Sequence, residues 1–338
     1  MKSFNIHWLP KKKFCLRKIG FWAFLLLIGG CSFFSSFPRR QRIEILPCQF
    51  RYVNLQWVAT IGSPGNQAGQ LLNPLGISTD LEGNIYIADT GNDRIQKFSS
   101  EGKYLKQTGG FGWDNGQFNR PTDILVNKNF NILVVDSRNQ RIQQFDQRLN
   151  FIRAYYLKDS LLTQTQFGNI YAIEVGPNGD IFITDPENEL IYQLTLFGTF
   201  RQSFAYFGYG PGEVQQPAGL SFSPQGELYV CSQAEQRIVI FDLFGNFLGD
   251  FGQQVLTSPL GIVVDRWGYC FVSDSKKQKI LIFNPRGQLV GTFGRPGNGP
   301  GEFNKPADLA LTENENYLLV CDSGNGRLQK LLINRITP

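Results

Sequence analysis

Apolar and polar residues alternate along most of this chain in runs of four to six, and the runs recur in a fixed order. Ile85 and Ile87 alternate with Tyr86 and Ala88 on the other face. A polar turn, Asp89-Thr-Gly-Asn-Asp93, follows, and Ile95 and Phe98 resume the apolar pattern. This reads as two short strands joined by a tight turn. Aligned on Asp89, the same unit returns at Asp136, Asp185, Ser232, Asp274 and Asp322, in steps of 47, 49, 47, 42 and 48 residues. Five residues past the marker stand Arg94, Arg141, Leu190, Arg237, Lys279 and Arg327. Nine past it stand Phe98, Phe145, Leu194, Phe241, Phe283 and Leu331. Fifteen before it stand Pro74, Pro121, Ile170, Pro217 and Pro259, with Pro306 one residue further out. Six copies in phase define a repeat of about 47 residues.

Each repeat reads as four strands. In the first, strand a covers 76–80, strand b 85–88, strand c 94–98 and strand d 104–108, with turns at 82–84 and 100–103. A Gly-rich crossover leads to the next proline. Short antiparallel strands in such units predict an all-β, six-bladed β-propeller, since one blade cannot bury both its faces. The last repeat ends after strand c, while 57–62 stands before the first crossover without a blade of its own. It matches the strand d segments 247–252 and 289–294. The N-terminal strand is therefore expected to complete the last blade and remove its open edge.

Pro-x-Gly/Asp-Ile, then Ile-Tyr-Ile-Ala-Asp-Thr-Gly-Asn-Asp-Arg-Ile-Gln-Lys-Phe, then Phe-Gly-x-x-Gly-x-Gly resemble NHL repeats over about 275 residues. Repeats one, two and six carry the resemblance most fully, and repeat three, with Leu190 and Ile170, least. The resemblance implies a six-bladed propeller. It implies little about chemistry, because the family spans RNA-binding, sensor and lyase proteins.

Charge changes the picture at one end only. Of 33 basic residues, Lys2, Lys11, Lys12, Lys13, Arg17 and Lys18 fall in the first thirty positions, where no acid falls. Beyond Gly30, 27 basic residues face 28 acidic ones, so the net +5 gives no argument for nucleic acid. The apolar run 19–28 is short for a membrane span and suits a secretory segment. Ile28-Gly-Gly-Cys31 resembles a bacterial lipobox. The expected organisation is a signal peptide over 1–30, a lipidated Cys31 with a tether over 31–52, and the propeller over 53–334. Ser32 after that cysteine is compatible, by the same resemblance, with transfer to an outer membrane. His7, the sole histidine, would leave with the leader, which removes the commonest general base and zinc ligand. Cys231, Cys270 and Cys321 read as buried hydrophobes rather than a disulfide set, and Cys48 falls in the tether.

The repeated Asp and Arg read as structural, because a catalytic site needs one copy and a turn needs one in every blade. The same argument covers Asp123 and Asp308, which replace glycine after the strand a proline. The Gly-rich crossovers lack Gly-Lys-Ser/Thr and a following helix, so they are not phosphate loops. Recognition is expected where the repeat is broken on the face of the b–c turns. Trp113, Tyr209 and Arg295 stand one residue past a Phe-Gly pair, and Arg120 and Lys305 stand beside the strand a proline. These five are the candidate ligand-binding residues. No catalytic residue, metal ligand or cofactor is assigned, and no single-copy carboxylate cluster shows in the sequence. The expected function is a monomeric, lipid-anchored module binding a protein, peptide or glycan at the cell envelope. The alternative is a propeller-type lyase or hydrolase working in the central channel.

Overall fold

In the computed structural model, residues 52–127, 131–157, 167–205 and 210–336 are described. The chain is a six-bladed β-propeller with four antiparallel strands in every blade. The first blade uses Ile77–Thr79, Ile85–Asp89, Arg94–Phe98 and Tyr104–Gly109 as strands a to d. Repeat three, the most divergent in sequence, still forms a full blade from Ile173–Val175, Ile181–Asp185, Leu190–Leu194 and Phe200–Phe204. The six innermost strands meet in chain order, and the sixth returns to the first, so the ring is closed.

The closing strand is longer than the sequence pattern indicates. Tyr52–Ile61 pairs antiparallel with Arg327–Ile336, bringing Leu55 opposite Ile333 and Trp57 opposite Leu331. A bulge lies between Trp57 and Ala59. This strand is the fourth of blade six, and pairing the two ends satisfies an edge that would otherwise be open.

The alternation places apolar residues on both faces of each blade, so the core lies between blades. Between blades one and two, Tyr86 and Ile95 pack with Ile124, Ile132, Val134 and Phe145. Phe118, from the crossover, stacks on Phe145 with ring centroids 5.7 Å apart. Each such fully buried side chain contributes about 1.5–3 kcal/mol. Innermost strands come closer than a side chain would permit. A Cβ on Gly76 would meet the Cα of Asp123 at 2.5 Å, which is why this position is glycine where the next blade carries Asp.

Cys231, Cys270 and Cys321 are buried free thiols, as the repeat spacing indicates. Cys31, Cys48, the leader and the tether lie outside the described residues.

Candidate binding face and central channel

The marker aspartates hold the crossovers. Asp89 Oδ1 accepts from the Leu72 amide at 2.7 Å, and Oδ2 accepts from Arg94 Nε at 2.7 Å, Asn92 and Gln96. The rest of the Arg94 guanidinium donates to the carbonyls of Asn66, Gln67 and Gln70. Blades two and six repeat this with Asp136–Arg141 and Asp322–Arg327. The role is structural: in these three blades the aspartate takes an amide of the incoming crossover, while Asp185 and Asp274 also accept amides of their own b–c turns, from Glu187, Asn188 and Lys277. Blade three, without the Arg, satisfies Asp185 with the Gly168 amide, Asn188 and the Tyr192 hydroxyl.

These contacts correct one alignment. Arg94, Arg141 and Arg327 donate through Nη1 to Asn66, Trp113 and Asn298 respectively. Trp113 is therefore equivalent to Asn298, not to Arg295. Strand d of blade one ends at Gly109, where φ turns to 115°, so Phe111-Gly112 already lies in the crossover. Arg295 belongs three residues earlier, and its guanidinium pairs with Glu302 Oε1 at 2.8 Å. Tyr209 lies outside the described residues.

What the crossover of blade one does offer is an exposed aromatic pair. Trp113 is 67% exposed and Phe111 60%, with their rings edge to face at 5.2 Å. Phe111 gives no signal in the repeat alignment, because Phe111-Gly112 reads like the Phe-Gly pairs that end strand d at 251–252 and 293–294. The same crossover ends at Arg120, which is exposed and held at φ 60°. Its backbone amide donates to Asp93 Oδ1 of the preceding blade at 2.7 Å, leaving the guanidinium outside that contact. Lys305 occupies the equivalent place in blade six, exposed and at φ 52°. Arg120 and Lys305 thus flank blade one at the inner rim of this face, and the aromatic pair lies outward of Arg120.

A second region emerges that the sequence does not display. A cavity of about 330 Å³ on the ring axis is lined by all six innermost strands, and its acidic lining is Asp123, Glu174 and Asp308 from the strands with Glu313 and Glu315 from the turn after the last of them. A single-copy carboxylate cluster therefore exists, assembled from blades two, three and six. Asp123 Oδ2 accepts from the Ile173 amide at 2.8 Å and Asp308 Oδ2 from the Ile77 amide at 3.1 Å. Each aspartate so caps an inner-edge amide of the following blade. Burial pushes Asp123 and Asp308 above the usual carboxylate range, and the charge of Asp308 adds to the rise at Asp123. Burial likewise pushes Glu174 up to about 7, against the donation of the Val175 amide at 2.9 Å. Among the described residues no group of three His, Cys, Asp or Glu is placed to hold a metal ion.

Six four-stranded blades, three of them locked by the Asp–Arg clamp, define the class: the chain is a six-bladed β-propeller carrying NHL repeats. Residues 71–98 and 118–145 match the NHL repeat, and residues 253–332 match a family described as a 6-bladed beta-propeller. Among curated proteins, the chain is 30% identical over 191 residues to Protein brain tumor of Drosophila melanogaster. It is 26% identical over 190 residues to the B-box type zinc finger protein ncl-1 of Caenorhabditis elegans. Both alignments take 56% of this chain but only 13% and 16% of those much longer proteins. Among solved structures, a streptogramin B lyase superposes with a TM-score of 0.58 at 14% identity, over 85% of this chain and 99% of that one. A gluconolactonase from Xanthomonas campestris gives 0.60 at 15%, over 82% and 99%. At these identities the likeness shows the fold.

Proposed function

We propose that this protein is a binding module held at the cell envelope by a lipid on Cys31, presenting its b–c face to a protein or peptide partner. The observation that carries the reading is the Phe111–Trp113 pair. It sits on a crossover whose other members satisfy the fold, and it is left in water. Large aromatics and arginine are the side chains that most often carry interface energy, about 2 kcal/mol or more each when central. Arg120, exposed at the end of the same crossover, favours an acidic or carboxylate-bearing segment of the partner. The test compares the parent with Phe111→Ser and Trp113→Ser combined, in capture from envelope extract. Capture is lost in the double variant while the melting temperature stays within a few degrees; equal capture, or unfolding, refutes the reading.

One observation favours a second reading, an enzyme working in the channel: the cavity faced by Asp123, Glu174 and Asp308. Two of those carboxylates already accept strand-edge amides, which accounts for them within the fold. Asp308→Asn keeps the shape and one acceptor. Loss of a hydrolytic or lyase activity on this substitution, at unchanged stability, would favour the enzyme.

A further inference from the structure

The c–d hairpins emerge on the face opposite to the b–c turns, and their tips are equivalent. Asp146 Oδ1 accepts from the amides of Arg148 and Asn150, and Asp242 Oδ1 from those of Phe244 and Asn246. Thr195 Oγ1 takes the amides of Phe197 and Thr199, and Asn284 Oδ1 those of Arg286 and Gln288. The outermost residue of these tips is Glu101, Arg148, Phe197, Phe244 and Arg286 in blades one to five.

Blades one, two and five make this turn with a charged side chain at the tip, so the turn itself asks for no aromatic. Yet Phe197 is 74% exposed and Phe244 77%, on adjacent blades, with Leu196 and Leu248 also exposed beside them. Arg148 and Arg286 are exposed on the blades to either side. Blade six has no such hairpin. Its corresponding end is the Tyr52–Ile336 pair, so residue 52 lies on this face. The segment before residue 52 carries Cys31, the proposed site of the lipid.

We infer that this face lies on an anionic lipid bilayer, a reading that deepens the membrane anchoring proposed above. Phe197 and Phe244 enter the boundary between headgroups and acyl chains, and Arg148 and Arg286 meet lipid phosphates. Chain entry at blade six lies across the ring from blade three. Two separated supports hold the disc flat and turn the Trp113 face away from the membrane. Glu101, at the tip of blade one, confines the contact to blades two to five.

Purified full-length, unlipidated chain mixed with phosphatidylcholine vesicles, with or without phosphatidylglycerol, tests this. Phe244→Trp gains emission over the parent, and that gained emission is quenched by brominated acyl chains. Phe197→Ser with Phe244→Ser lowers vesicle partition by roughly tenfold or more at unchanged melting temperature. Arg148→Glu with Arg286→Glu lowers it on phosphatidylglycerol vesicles and leaves phosphatidylcholine vesicles as in the parent. Vesicle-bound chain whose gained Trp emission is unquenched overturns this surface while leaving anchoring through the leader or Cys31 standing. Partition unchanged in the double Phe variant overturns it as well.

Discussion

Arg141 donates from Nε to Asp136 Oδ2 at 2.7 Å, and both side chains are out of solvent. The same guanidinium donates to the carbonyls of Trp113, Asp114 and Gln117, so one side chain fixes the crossover that carries the exposed aromatic pair. Arg141→Ala leaves a buried carboxylate and three partly buried crossover carbonyls without that donor. The expected cost is about 3–5 kcal/mol in denaturant unfolding. A loss under 1 kcal/mol would mean that Asn119, Asn139 and Gln143 hold the loop by themselves.

Ring closure rests on the pairing of Tyr52–Ile61 with Arg327–Ile336. Deleting residues 53 to 62 removes Val53, Leu55 and Ile61 from the buried core and opens the edge of blade six. A loss comparable to total domain stability, about 5–15 kcal/mol, is expected. Calorimetry showing the parent melting temperature would remove this account of closure.

Glu174 makes stability pH-dependent in a defined direction. Its folded-state value near 7 exceeds the unfolded 4.5, so the folded chain holds the proton more tightly. The contribution is fully present below the unfolded value and is lost as pH rises to about 7. Over that window Glu174 alone changes stability by up to about 3 kcal/mol. Glu174→Gln should flatten the profile between those limits. Asp123 and Asp308 are raised as well and leave a residual slope of the same sign. An unaltered profile in the variant would show that water in the channel solvates the carboxylate.

Lipidation is read from the basic start, the short apolar run and Cys31. Cys31→Ser should abolish fatty-acid labelling and release the chain from the membrane fraction. Continued labelling of the variant would place the lipid elsewhere or remove it from the account.

Blade number, strand order and the closing strand were written in the sequence, because each follows from a local period. Alternation fixes strand faces, and the recurrence of Asp89 through Asp322 fixes the count. The Asp–Arg clamp was legible as structural for the same reason, being needed once per blade. The register of the crossovers was not. Gly109-Gly110-Phe111-Gly112 offers two alignments of glycine with strand d, and only the guanidinium contact at the Trp113 carbonyl decides between them. The channel carboxylates were hidden by distance along the chain: Asp123 meets an amide 50 residues on, and Asp308 one 231 residues back. The exposure of Phe197 and Phe244 was hidden differently, because an aromatic in a four-residue turn reads in sequence as one more core residue. Periodicity reports what neighbouring residues share. Which side chains face the axis, the clamp or the solvent depends on how six sheets twist and close, and the tertiary structure decides that.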